Sequence, residues 1–499
     1  MSHAHLPRAR SRTTRRVLGA TAAAVTFGTI GPSAWAAVSP PDSGVTKIVS
    51  VSNTGATGDK TSTRARISQD GRFVTFQSAA LNLTSQRGGG THVYFTDLSG
   101  VLIPGGNHTT TVDLDATTGG RCKTDLGMNG HSTISEVSDR VAGDGPWVVF
   151  ASDCFNLVPG WAHVGDVYIK NMATGNVQVV SKANGSETQP IAPVSVRPVI
   201  SDDGRYVAWN STAGDVFVRD MRDTTVNRTV RVVASTASND ESLRPEISGD
   251  GSHLIFASDA RLAAGDTNLS RNVYLVDLRA WQANKANKTF KPVLVDVTPT
   301  GQAAPSTSSR PGINRDGTIV TFQSFSGLVA DDTNGVLDAY WRNMVSGQTV
   351  LLSRGWGGEV PNGQSTRPQL DDSGYVAAFT STSNALVKGD TNGRPDAFIR
   401  KLNRTNPAQG TTYVISQRPD GNIAGGVGSC PAQAAGTTSP GGGLVAQARA
   451  GNANIATRPY LSGDAGRVVF VSGMCDLVQP GTDGTVNQIY VRTYGPGGP

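Results

Sequence analysis

The chain has 499 residues, with 59 glycines and 26 prolines but only 6 methionines, a composition typical of a large all-β protein with many turns. Its 44 basic residues outnumber its 39 acidic ones, but five arginines lie within the first 16 residues, which leaves 39 basic residues elsewhere. This balance gives no electrostatic reason to expect nucleic-acid or anionic-membrane binding.

The N-terminus has the pattern of an export signal. Five arginines and no acid occur in residues 1–16, a weakly apolar stretch follows, and Ala34-Trp35-Ala36 supplies the small residues of a cleavage site. Arg15 and Arg16 also resemble a twin-arginine signal, and an ordinary secretory signal is the alternative. We assign residues 1–36 to the signal and expect a secreted, extracellular protein with no membrane insertion.

A unit of four short strands recurs along the rest of the chain. Its first two strands flank a tight turn, usually Asp-Gly, which favours a hairpin. An aromatic residue stands five positions after this turn in all seven copies, at Phe76, Phe150, Trp209, Phe256, Phe322, Phe379 and Phe470. We expect these rings to pack between neighbouring blades. Seven such units predict an all-β, seven-bladed β-propeller of four-stranded blades, a single domain over 45–494 with a short tail at 495–499.

The two ends of this domain complement each other. The last copy stops after its third strand, near Tyr494, whereas residues 45–52 match the fourth strand of the other copies. We therefore expect the N-terminal strand to pair into the last blade and close the ring, which removes two exposed sheet edges. We also expect a monomer.

The turn region of the unit carries a family resemblance. Ser-x-Asp-Gly-Arg-x-Val-x-Phe at residues 68–76, with related segments ending at Trp209 and Phe379, resembles the WD40-like repeat of TolB-type propellers. The resemblance covers residues 45–494 and implies the propeller fold without implying a particular function. Related propellers occur fused to peptidase domains, but this sequence contains no Gly-x-Ser-x-Gly elbow.

Four cysteines in an exported protein predict disulfides. Cys154 and Cys475 follow the second strands of the second and seventh units, and Cys122 and Cys430 lie in glycine-rich insertions that precede the first strands of the same units. We predict the pairs Cys122–Cys154 and Cys430–Cys475, each joining an insertion to its own blade. The alternative is a metal site formed by Cys122 and Cys154 with nearby histidines, although the usual ligand spacings are missing.

The fifth and sixth units each contain an Asp-Thr-Asn-Gly loop and a further aspartate before the third strand. Oxygen side chains at this spacing are of the kind that Ca²⁺ prefers. The candidate calcium ligands are Asp332, Asn334, Asp338, Asp390, Asn392 and Asp396. The alternative is an Asx turn, in which these side chains bind backbone amides. No other cofactor is indicated.

An arginine stands seven residues before the turn in six units, with Ser138 in the second. These positions begin the innermost strands, beside the central channel. The arginines are Arg64, Arg197, Arg244, Arg310, Arg367 and Arg458. The simplest interpretation pairs them with the hairpin aspartates of the same repeat. The alternative is a ring of guanidinium groups that binds an anionic ligand or the acidic tail of a partner.

No motif indicates a catalytic site. We therefore expect a non-enzymatic binding or scaffold propeller that presents loops to an unknown protein or carbohydrate partner, with specificity in the insertions at 100–130, 279–306 and 417–457. The alternative is an extracellular hydrolase, lactonase or lyase with its site at the channel mouth. A channel plugged by side chains favours the binder, whereas unpaired acids or histidines at the mouth favour the enzyme.

Overall fold

The computed structural model describes most of the predicted domain. The described residues are 44–494 without 86–89, 102–108, 115–118, 120–145, 155–156, 162, 187, 193, 225–227, 235–241, 425–455, 479–481 and 483. The predicted signal and C-terminal tail lie outside these residues. No helix in the described part is long and apolar enough to cross a membrane.

Seven antiparallel sheets follow one another along the described chain, and each forms one blade. The first strand, β1 (Val45–Ile48), belongs to the seventh blade. Blade 1 contains β2 (Ser62–Ile67), β3 (Phe73–Ser78), β4 (His92–Asp97) and β5 (Thr109–Thr111), and blade 2 contains β6 (Trp147–Ser152), β7 (Asp166–Asn171) and β8 (Val177–Val179). Blade 3 contains β9 (Ser195–Ile200), β10 (Tyr206–Ser211), β11 (Val216–Asp220) and β12 (Thr229–Val233). Blade 4 contains β13 (Ser242–Ile247), β14 (His253–Ser258), β15 (Asn272–Asp277) and β16 (Val293–Leu294).

The remaining blades have the same order of strands. Blade 5 contains β17 (Ser308–Ile313), β18 (Ile319–Ser324), β19 (Asp338–Asn343) and β20 (Thr349–Leu351). Blade 6 contains β21 (Ser365–Leu370), β22 (Val376–Ser381), β23 (Asp396–Leu402) and β24 (Gly410–Val414). Blade 7 contains β25 (Ala456–Leu461), β26 (Arg467–Ser472) and β27 (Gln488–Thr493), together with β1. Two short helices, α1 (Leu98–Val101) and α2 (Arg279–Ala283), follow the third strands of blades 1 and 4. The predicted seven-bladed propeller is therefore confirmed, with three strands of blade 2 described.

The N-terminal strand closes the ring as predicted. Strand β1 pairs antiparallel with β27, with Val45 opposite Thr493 and Ile48 opposite Tyr490, so the last blade has the order β1-β27-β26-β25. Immediately after β1, the Ser50 hydroxyl donates a hydrogen bond to Gln488 Oε1 at 2.6 Å. The seventh blade is thus built from both ends of the domain.

The repeated aromatics form the cores between blades, as predicted. All seven are fully buried, and each stacks on a ring of the adjacent third strand, with centroids 5.5 Å apart for Phe76–Tyr94 and 6.1 Å apart for Phe256–Tyr274. Phe76 of blade 1 also packs with Val469 of blade 7 in one apolar cluster. Since every blade packs on the preceding one in this way, the apolar cores form a continuous ring.

In the six blades whose first strand is described, which are all but blade 2, that strand contains a β-bulge opposite the repeated aromatic. In blade 1, Thr63 pairs with Gln77 and Arg66 pairs with Thr75, so Arg64 and Ala65 together face Phe76. The same break in register occurs in blades 3 to 7. A proline follows the arginine in five of these strands, and a bulge accommodates its missing N–H.

The insertion at 279–306 folds against a neighbouring blade. Trp281 of α2 is buried and meets the Tyr206 ring of blade 3 edge-on, with centroids 6.1 Å apart. The Lys285 ammonium lies 2.9 Å from Asp220 of the same blade and 3.8 Å from the centre of the Trp281 ring. This insertion therefore joins blade 4 to blade 3. Most of the insertions at 100–130 and 417–457 lies outside the described residues.

Candidate functional site

The first strands line the central channel in three layers. The arginine layer consists of the six arginines predicted from the repeat. The middle layer, two residues further along each strand, consists of Arg66, Val199, Glu246, Gly312, Gln369 and Tyr460. The turn layer, at the hairpins, consists of Gln69, Asp202, Gly249, Arg315, Asp372 and Gly463. The corresponding residues of blade 2, including Ser138, lie outside the described part of the chain.

The structure brings all six arginines of the arginine layer to one cavity, which we call the arginine chamber. It has a free volume of about 160 Å³ and is also lined by Pro245, Pro311, Val199 and Tyr460. All six arginines have left-handed backbones, with φ between +52° and +57°. Such a conformation costs a residue other than glycine about 1 to 2 kcal/mol. The bulges thus place six strained arginines around one space.

The predicted pairing of these arginines with the hairpin aspartates is wrong. The hairpin aspartates bind their own turns: Ser201 donates to Asp203 at 2.7 Å, and Ser248 donates to Asp250 at 2.7 Å. Among the described residues, no carboxylate oxygen lies within 4.0 Å of any guanidinium nitrogen in the arginine layer. The bulge explains the difference, because it directs the arginines into the channel at the opposite end of the strand from the hairpin.

Burial in the chamber and repulsion between the arginines lower the pKa values of these side chains. Burial, followed by repulsion from the other arginines, lowers the pKa of Arg64 to about 10 and that of Arg367 to about 9. The repulsion also acts between blades that are not neighbours, for instance between Arg244 and Arg458. All six guanidinium groups remain charged at neutral pH, so the chamber is a concentrated positive site.

The middle layer forms the floor of the arginine chamber. The Arg66 guanidinium of blade 1 lies 2.9 Å from the Glu246 carboxylate of blade 4, across the channel, and 3.7 Å from the centre of the Tyr460 ring. Arg66, Val199, Glu246 and Gln369 line both the chamber and a smaller cavity beyond it. These side chains therefore separate the two cavities. The repeat pattern did not predict this floor, although the residue two places after each repeated arginine varies from blade to blade.

The turn layer closes the far end of the channel. Backbone amides join neighbouring hairpins, with Asp372 N–H donating to Gly463 O at 3.0 Å and Gly463 N–H donating to Gln69 O at 2.8 Å. The Arg315 guanidinium lies 3.2 Å from Asp202 and 3.3 Å from Asp372. Burial and the nearby Asp372 raise the pKa of Asp202 to about 6. In the described part of the chain, the arginine chamber is consequently closed at the hairpin end, and it opens on the side of the partly exposed arginines.

The candidate calcium ligands form hydrogen-bonded turns at the edges of blades 5 and 6. Asn334 donates through Nδ2 to Asp338 at 2.7 Å and accepts through Oδ1 from Val336 N–H at 2.9 Å, while the Tyr340 hydroxyl donates to Asp332. Asn392 and Asp396 repeat the first contact, and Asp390 precedes them in the same loop. These contacts are those of the Asx-turn alternative, with donors directed at the oxygens a cation would need. Calcium binding stays a prediction.

The same turns give the protein a pH-dependent stability. Asp338 and Asp396 are fully buried, and burial raises the pKa of each to about 7. A carboxyl whose pKa is raised by folding stabilises the fold fully below its unfolded pKa, and this contribution is lost as pH rises through about 7. We expect a higher melting temperature at pH 5.5 than at pH 8. Asp338→Asn should stabilise the fold at pH 8 by roughly 1 to 3 kcal/mol and reduce the difference.

A neutral amide already occupies the corresponding position in blade 4, at Asn272, where it donates to Asn268 at 3.2 Å. This precedent makes Asp338→Asn structurally acceptable. Asp331→Asn, on an exposed side chain, is the matched control and should leave the pH dependence unchanged. Melting temperatures that stay constant or fall between pH 8 and pH 5.5 would contradict the expectation.

Neither of the two described cysteines, Cys154 and Cys475, is a free thiol. Their predicted partners, Cys122 and Cys430, lie outside the described residues, so the pairing stays a prediction. Among the described residues, no group of three or more histidine, cysteine or acidic side chains is arranged to bind a metal ion.

The geometry defines the class of the protein. The chain is a seven-bladed β-propeller, and the described residues of its central channel form a positively charged pocket that is closed at the hairpin end. The described lining of the arginine chamber contains one carboxylate, Glu246, which pairs with Arg66, and contains no histidine. The chamber therefore has the polar groups needed to bind an anion.

The sequence matches no family model and no curated protein. Solved structures of similar fold include TolB from Acinetobacter baumannii, 12% identical over 86% of this chain and 82% of that one, with a TM-score of 0.36. An oligogalacturonate lyase in complex with manganese is 12% identical over 91% of this chain and 97% of that one, with a TM-score of 0.46. The β-propeller domain of the trilobed protease from Pyrococcus furiosus is 8% identical over 87% of this chain and 95% of that one, with a TM-score of 0.46. These likenesses concern the fold alone.

Proposed function

We propose that this protein is a secreted binding propeller that takes an anionic ligand in the arginine chamber. The observation that carries the proposal is the set of six charged arginines around one cavity without a carboxylate partner among the described residues. Guanidinium groups are planar, multidentate donors that suit carboxylates and phosphates. An anion in the chamber would supply the missing countercharge.

The backbone of the arginine layer supports the same proposal. A glycine would adopt a positive φ without strain, yet arginine occupies all six strained positions. Strained residues clustered at one place are typical of ligand sites. Repulsion between the arginines destabilises the free protein further. A bound anion offsets this repulsion, so we expect ligand binding to stabilise the fold.

The blind channel favours binding over catalysis. Hydrolysis or elimination in the chamber would require a general base near the ligand, and Glu246 is engaged by Arg66 at 2.9 Å. The side chains of the middle layer plug the channel, which is the feature expected of a binder. The loops on the arginine side of the ring are then available for a protein or carbohydrate partner.

The test is a calorimetric titration of the protein with inorganic pyrophosphate in metal-free buffer at low salt. We expect saturable binding that Arg310→Asn weakens at least tenfold, because a charge-assisted hydrogen bond contributes about 1.5 to 3 kcal/mol. Asparagine tolerates a positive φ better than most residues, so the fold should survive. Lys401→Gln, on an exposed strand position, is the control and should bind as the wild type does. Equal binding by both variants would refute the proposal.

A further inference from the structure

The closed end of the channel limits what the arginine chamber can admit. The Arg66–Glu246 pair and Tyr460 form its floor. Beyond it, the described hairpins close the channel through their backbone hydrogen bonds and the Arg315–Asp202 ion pair. The described residues therefore leave no passage for a polymer through the channel. Only a small molecule, or the end of a chain, can occupy the chamber.

The volume of the chamber favours the small molecule. Its free volume is about 160 Å³, close to the roughly 150 Å³ of a cavity that accommodates benzene. A peptide end with several acidic side chains exceeds this size, and each ordered residue would cost about 1 to 2 kcal/mol of backbone entropy. A compact molecule fills the same space at a smaller entropic cost.

The arrangement of charge indicates several anionic groups on that molecule. Arg244 is repelled by Arg197 of the neighbouring blade and also by Arg458, which lies across the ring. One monovalent anion cannot neutralise charges that approach from six blades. The Tyr460 ring, Val199 and the two lining prolines add apolar wall between the arginines, against which a short carbon skeleton can pack.

We infer that the ligand is a single small polyanion, about the size of a six-membered ring as a whole, with two or more phosphate or carboxylate groups directed at the arginines. This inference rests on the proposed anion-binding function and specifies its ligand class. The ligand enters from the arginine side and stops at the floor formed by Arg66, Glu246 and Tyr460.

The test compares four anions on the folded wild-type protein by titration calorimetry: inorganic pyrophosphate, citrate, a hexaglutamate peptide and long polyglutamate. We expect pyrophosphate or citrate to saturate at one molecule per chain and to bind at least tenfold more tightly than hexaglutamate. The stronger of the two identifies the preferred anionic group. Arg310→Asn and Arg458→Asn should each weaken this binding at least tenfold, whereas Lys401→Gln should not, with circular dichroism verifying the fold of each variant.

The possible failures can be told apart. Tighter binding of hexaglutamate or polyglutamate that still depends on Arg310 would overturn the small-ligand inference and leave the anion-binding function intact. Several pyrophosphate or citrate molecules per chain, bound equally by wild type and both arginine variants, would place the anions on the outer surface. That result, or the absence of any binding, would overturn the inference and the proposed function together.

Discussion

Deletion of residues 45–52 is expected to lower the melting temperature by more than 10 °C and to unfold all seven blades in one transition. The deletion removes β1, whose four residues pair with β27, and Val49, which is fully buried between blades 7 and 1. It leaves β27 as an unpaired edge. Because each blade packs on its neighbours around the ring, the loss of closure exposes apolar surface at both ends of the chain.

A pair of point variants separates this effect from simple truncation. Val49→Asp places a charge in the apolar cluster between blades, which is among the most destabilising kinds of substitution. A loss of several kcal/mol corresponds to roughly 5 °C for a domain of this size. Val45→Asp lies in β1, four residues earlier, on a residue that is 58% exposed, and it should change the melting temperature little. Fraying confined to blade 7 by hydrogen exchange, with the other blades still protected, would contradict closure as the source of stability.

Neutralising three arginines at once is expected to abolish anion binding while making the free protein more stable. In Arg244→Asn/Arg310→Asn/Arg458→Asn, half of the charge of the arginine layer is removed, and asparagine tolerates the left-handed backbone. Pyrophosphate affinity should fall more than a hundredfold. Relief of repulsion and strain should stabilise the free protein by roughly 1 to 3 kcal/mol, which is about 1 to 3 °C in melting temperature.

This combination distinguishes a binding role from a structural one. Loss of function with gain of stability is the pattern of a site that is strained for its ligand. The control is Arg205→Asn, since Arg205 forms two hydrogen bonds with the buried Asp220, at 2.9 and 3.0 Å. That variant should lower the melting temperature and leave pyrophosphate binding unchanged. If the triple variant instead melts at a lower temperature, the arginine layer is structural.

The architecture was predictable from the sequence because its signals are local and repeated. A turn followed five residues later by an aromatic, as in Gly204 and Trp209, recurs in every unit. The missing fourth strand of the last unit could be matched to residues 45–52 by the same pattern. The repeat also predicted that the six arginines lie at one end of the first strands, beside the channel.

The environment of the arginines was not predictable, because it depends on conformation and on distant pairs. The left-handed backbone at Arg64 follows from a bulge opposite Phe76, and the repeat pattern does not encode the register of that bulge. The floor depends on the contact of Arg66 with Glu246, which are 180 positions apart. Likewise, the direction of the Asn334 amide, which decides between a turn and a cation ligand, depends on Asp338.

The most direct test of the central claim is an anomalous difference map from crystals of the full protein soaked in tungstate, an oxyanion visible at its own absorption edge. We predict a peak inside the arginine chamber, with the tungstate oxygens within hydrogen-bonding distance of at least three guanidinium groups of the arginine layer. Peaks confined to the outer surface, or a chamber in which carboxylates of the chain already pair with these arginines, would contradict it.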